Sequence, residues 1–167
     1  MNVKPLIAAG TLMGIGMGGF LDGIIFHQIF QFHSMLSGKL PQNDLVNVKT
    51  SMVWDGFFHL LTWISTAISI KLLWNAGRQH DVPWSGRALW GSLIMGWGIF
   101  NLVEGIIDHH ILGIHHVYEL EGLSVYDYLF LASGIVLILS GYALIRSAIG
   151  RLNTTNNNSG PENPYSI

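Results

Sequence analysis

The 167-residue chain contains no cysteine. That excludes disulfides, thiolate catalysis, zinc fingers and cysteine-ligated iron–sulfur clusters, so any metal must be held by His, Asp, Glu, Met or backbone. Charge is scarce too: 11% of residues are Asp, Glu, Lys or Arg, against about 25% in an ordinary soluble domain. The net charge of −2, with no basic stripe carrying interleaved aromatics, argues against nucleic acid as a partner. What the chain has in quantity is apolar surface and glycine. Half of its residues are hydrophobic, 20 are Gly, and the mean hydropathy is +0.42. This combination predicts helices packed closely in a lipid bilayer.

Four apolar segments, at roughly 5–32, 50–74, 87–112 and 126–146, are each long enough to cross about 30 Å of hydrocarbon. The expected fold is all-α: a four-transmembrane-helix bundle over residues 1–151, followed by an Asn/Thr-rich tail, 152–167, predicted disordered by its composition. Lys4 and the run after it resemble a signal peptide. The run is too long for one and lacks an A-x-A site, so it reads as the first span. Lys4, Lys71, Arg78, Arg87, Arg146 and Arg151 lie on the side of the termini and middle loop, and only Lys39 and Lys49 on the other. The asymmetry predicts cytoplasmic termini. The first helix carries Gly10, Gly14, Gly18, Gly19 and Gly23 at small-x-x-x-small spacing, expected to pack against another helix or a second copy of the chain.

Seven of the eight histidines belong to the span ends. His27, His33, His59, His109, His110, His115 and His116 stand with Asp22, Asp55, Glu104, Asp108 and Asp127, all at one membrane face. His80 falls in the basic loop on the other side and reads as a solvated loop residue. The segment Asp22-Gly-Ile-Ile-Phe-His27 with His33 is echoed, at a single offset, by Glu104-Gly-Ile-Ile-Asp-His109 with His115. Helix 2 has a shorter version, Asp55-Gly-Phe-Phe-His59, and helix 4 only Tyr126-Asp127. The echo suggests two related helical hairpins, 1–2 and 3–4, in parallel orientation.

A charged side chain in the middle of a membrane costs roughly 2.5–3.5 kcal/mol. Several acids gathered at one depth therefore need compensation, and a divalent cation shared with neutral imidazoles supplies it. The expected ligands are His33, Asp55, His59, Glu104, Asp108 and His115, followed by Asp22, His27, His109 and His116. The rival account is a network of His–carboxylate hydrogen bonds. On a regular helix His27 lies about 140° around from Asp22, as His109 does from Glu104. Three explanations fit: a broad inward surface holding two metals, a bulge near Gly23 and Gly105 that turns both faces inward, or one face used in an oligomer. Asp127 reads equally as a ligand or a helix-start acid. Met35 and Met52 read as packing before soft copper ligands, and Gln28 and Gln31 as outer donors or as glue between helices.

These runs, with Asn101-Leu-Val-Glu104 leading into the third, resemble a bacterial family of predicted four-helix integral membrane proteins with a domain of unknown function. The resemblance covers roughly residues 5–147. It implies the four-span topology and a bacterial inner membrane, and it transfers no catalytic residue. The mixed His/carboxylate set favours iron or copper, with zinc an alternative and a b-type haem ranked below them. The expected role is redox catalysis on O2 or a small lipophilic substrate at the periplasmic face. Copper or zinc handling and an intramembrane zinc hydrolase are the alternatives, so enzyme status stays open at this point.

Overall fold

The computed structural model describes residues 2–158, and those residues contain four long helices and no strand. Helix α1 (Lys4–Asp22) starts at Lys4-Pro5, where a proline in the first turn sacrifices no hydrogen bond. It continues into a π-helical segment, Gly23–Ile29. Helix α2 spans Leu45–Gly77; its N-terminus is capped by Asp44, whose carboxylate accepts from Val46 N at 2.8 Å and Asn47 N at 3.0 Å. That cap starts α2 five residues before the apolar run that predicts it. Helix α3 (Gly86–Glu104), capped by Ser85, also runs into a π-helical segment, Gly105–Leu112. Helix α4 (Val125–Asn158) continues past Arg151, where composition predicts its end, and the Thr154 and Thr155 hydroxyls bond to the Arg151 carbonyl. The remainder of the expected tail lies outside the described residues.

All four helices are long and apolar enough to cross a membrane. Helices α1 and α3 pack against each other at the centre, with α2 on the outer side of α1 and α4 on the outer side of α3. The outer pair turns large apolar side chains outward, among them Leu61, Trp63, Ile70, Leu129, Val136 and Leu139, as a lipid-facing surface requires.

Glycine sets the separation of the central pair. A Cβ on Gly14 would collide with the Leu93 carbonyl, and one on Gly96 with the Thr11 carbonyl. The two contacts are the same contact, since Thr11 and Gly14 stand to Leu93 and Gly96 at a shift of 82 positions. The outer contacts recur as well: Gly16 lies against Thr62 and Thr66, and Gly98 against Gly134 and Ile138. Gly10, Gly18, Gly19 and Gly23 are likewise buried against other helices of the same chain. The glycine ladder of α1 is thus occupied by helices of the same chain.

The apolar core, built around Leu6, Ala76, Val82, Ala88 and Ala148, occupies the end of the bundle where the chain starts. The polar layer occupies the other end, where the π segments lie.

Backbone proximity of this kind leaves no room for a methyl group. Gly96→Ala is expected to cost about 1–3 kcal/mol through overpacking. Gly56, with open space around its Cα, should gain about 1 kcal/mol on substitution by Ala from helix propensity. Thermal unfolding of the detergent-purified variants should move in opposite directions; equal shifts would refute the close-contact account.

Candidate metal centre

The π segments decide what the site contains. Their i→i+5 hydrogen bonds, such as Phe30 N to Ile25 O at 2.8 Å, widen the turn until residues five apart come nearly into line. Asp22 and His27 therefore face the same interior, as do Glu104 and His109. Of the three explanations for two polar faces, the local bulge at Gly23 and Gly105 is the one that the backbone adopts.

Six side chains meet: Asp22, His27 and His33 from the first half, Glu104, His109 and His115 from the second. Each is at most 5% exposed. Three overlapping sets, His27/His33/His115, Glu104/His109/His115 and Asp22/His27/Glu104, each place one ligand atom per residue within 4.8 Å of the others. The buried groups could hold a metal ion. The His33 and His115 rings stack at 4.7 Å with 11° between their planes, which leaves no slot for a porphyrin between those two rings.

The imidazoles are oriented by what lies behind them. His27 Nδ1 is 2.9 Å from Asp55 Oδ1, and His109 Nδ1 is 3.0 Å from Asp127 Oδ1. His33 Nδ1 donates to the Val117 carbonyl at 3.0 Å, and His115 Nδ1 to the Met35 carbonyl at 3.4 Å. The last two bonds cross between the halves, because Met35 and Val117 also stand 82 positions apart. The backbone closes the exchange: Met35 N donates to Asp55 at 2.7 Å and Val117 N to Asp127 at 3.1 Å. With an acceptor bonded to Nδ1 of His27, His33 and His115, and the Asp127 carboxylate close to His109 Nδ1 without the alignment of a hydrogen bond, the Nε2 lone pairs point inward, the arrangement that metal-ligating histidines adopt.

The inward atoms are left without partners. Nε2 of His27, His33, His109 and His115, Asp22 Oδ2 and Glu104 Oε2 are buried and make no hydrogen bond. His27 Nε2 and Asp22 Oδ2 lie 3.0 Å apart without the alignment of a hydrogen bond. Burial and the neighbouring imidazoles of His33, His109 and His27 push the His115 pKa well below its ordinary value, so this ring is neutral at pH 7 and its lone pair is free to bind.

Four expected ligands stand apart from this set. Asp55 lies one step outward, holding His27. His59, half-buried, donates from Nδ1 to the Asp55 carbonyl at 2.7 Å, and its ring lies against Gly23. Asp108 is half-buried and belongs to none of the three sets. His116 Nδ1 lies 3.5 Å from Asp127. At the repeat's shift, Asp108 corresponds to Phe26 and His116 to Ser34, so the second half alone carries these polar groups. His110 donates to the Gly105 carbonyl at 2.7 Å within the π turn, His80 is exposed, and Asn101 ties α3 to α4 through Ser133 at 2.9 Å. The residue missing from the expected ligand set and central here is Asp127, fully buried behind His109. The signal for it was the pairing of Trp54-Asp55 with Tyr126-Asp127.

The family described as predicted membrane protein (DUF2243) matches residues 9–148. The chain belongs to this family. The DUF2243 match reaches into all four spans and includes every residue of the polar layer, so this is a membrane protein with its buried His/carboxylate cluster inside the family's domain. No curated protein matches the chain, and no solved structure does.

The geometry separates residues that the sequence grouped. If the cluster binds metal, His115→Ala should lose it and His59→Ala should keep it. Asp55→Asn and Asp127→Asn should each weaken binding about 10–100-fold, the usual effect of removing a group that orients a ligand. Metal content after dialysis against graded chelator measures all four, and full retention in His115→Ala would overturn the assignment.

Proposed function

We propose that the protein is a membrane metalloprotein whose site takes two transition-metal ions, each with one carboxylate and two imidazoles, and that it performs redox chemistry on O2 or a lipophilic substrate. The observation that carries this reading is the set of six inward-facing, unpartnered ligand atoms, three of whose histidines are hydrogen-bonded from behind and the fourth flanked there by Asp127. Carboxylates and imidazoles without thiolate suit iron better than copper(I), and His/carboxylate pairs of ions in helical bundles are a known architecture for such chemistry. Zinc hydrolysis or metal handling would need the same ligands. The distribution of Lys and Arg supports a reading with cytoplasmic termini and the site toward the outer, periplasmic end of a bacterial inner membrane.

One observation favours a second reading. His27 lies between Asp22 at 3.0 Å and Asp55 at 2.9 Å, which would suit an imidazolium held by two carboxylates in a metal-free network. Elemental analysis and an optical spectrum of the purified protein decide between the two. About two iron atoms per chain with a charge-transfer band is the expected result. Zinc with a blank spectrum would move the reading to hydrolysis, weak reversible uptake to metal handling, and no metal under any loading condition to the ion-pair network.

A further inference from the structure

The two halves share their central six residues but not their surroundings. Asp55 follows His33 by 22 residues, whereas Asp127 follows His115 by 12. The extra length becomes a loop and two to three additional turns at the start of α2, while α4 begins two residues before Asp127. At about 1.5 Å per residue α2 is about 50 Å long, more than the hydrocarbon layer requires, and its first turns extend past the level of Asp55. They wall a cavity of about 600 Å³ that reaches His27, His33 and Asp55, in the size range of sites for small organic molecules.

Gln31 marks this cavity as built for use. It is the one non-glycine residue among those described with positive φ, at 51°, a left-handed conformation that costs an L side chain energy. Its counterpart at the repeat's shift is Gly113, at φ 53°, where the same bend carries no such cost. The first half therefore keeps a side chain where the backbone favours none, and that side chain lines the cavity. The amides of Gln28 and Gln31 have no protein partner among the described residues.

We infer that the cavity binds a neutral amphiphile with a hydroxyl or phenolic head, entering from the membrane interface, and that Gln31 recognises its head. The charge of the lining disfavours an anion: Asp55 and Glu119 contribute to it, no Lys or Arg does, and His27 is already held between Asp22 and Asp55. Gln28, Gln31 and Ser34 supply neutral donors and acceptors near His33, and Phe32, Val48 and Met52 supply apolar wall. Met52 and Leu120, 61% and 85% exposed, extend that wall outward. The inference rests on the proposed metal reading insofar as the ligand is its substrate; the binding itself requires only the cavity.

The test uses the full chain in nanodiscs, with 4-octylphenol and octanoate as probes, equilibrium dialysis against empty nanodiscs, and metal content measured in parallel. The wild type should retain the phenol saturably and not the carboxylate. Gln31→Gly should weaken phenol retention at least tenfold, leave metal content unchanged, and raise Tm by about 2–4 °C as the backbone relaxes. Gly113→Ala should lower Tm by a similar amount and leave phenol binding intact. Phenol binding unchanged in Gln31→Gly, or octanoate bound as well as phenol, would overturn the inference. Phenol retention lost in Gln31→Gly from a protein that never binds metal would uphold the cavity and remove the metal reading; metal bound with no phenol retained would do the reverse.

Discussion

The structure turns on one electrostatic constraint. Two carboxylates and four imidazoles are packed between α1 and α3 with almost no access to water, in a place where an uncompensated charge is costly. Each feature around them serves to bring them together or hold them there. The glycines let the backbones of α1 and α3 touch, so side chains from the two helices can share one small space. The π turns swing a fifth residue into line with the acid before it. Asp55, itself buried, holds the His27 ring by Nδ1, buried Asp127 lies 3.0 Å from His109 Nδ1, and the Met35 and Val117 carbonyls face the other two rings. An apolar cluster of the same shape would need none of this, and buried polar groups that are merely tolerated are not usually aimed at one another with their partners removed.

The reciprocal bonds also explain why the halves are interdependent. His33 of the first half is anchored by the backbone after His115, and His115 by the backbone after His33. Gly38 N to Ile114 O at 2.8 Å and Glu119 N to Phe32 O at 3.1 Å extend the exchange. Neither half can complete its part of the layer alone. The linkage belongs to loops outside the spans, where helix packing by itself would leave the chain free to move.

The four spans were legible because apolar length is a property of composition, and the polar layer because acids and histidines are expensive in such segments. The ranking within the layer was less legible. A regular 3.6-residue period puts Asp55 and His59 on one stripe, yet the π turns, and not that stripe, select the inward residues; the bulge was one of three readings that periodicity alone could not separate. His59 packs against Gly23, a contact visible only once α1 and α2 are placed. Asp127 was obscured because the extra residues before α2 shift the second-helix echo from 82 positions to 72. The ladder in α1 predicts close packing, which the backbone contacts show, but spacing does not say whether the partner is the same chain or another.

The differences between the halves carry information that their likeness does not. A shared cluster must be shielded on most sides, since water entering would screen the interactions that orient the rings. The short connection between His115 and Asp127 shields it, with Val117, Ser124 and Asp127 bonded into a tight turn. Two open sides would defeat that shielding; two closed ones would leave the cluster unreachable. One closed half and one half opened by an extended α2 meets both demands, and it places the strained Gln31 on the open side and the relaxed Gly113 on the closed one. The repeat builds the charged layer, and the departure from the repeat provides the way in.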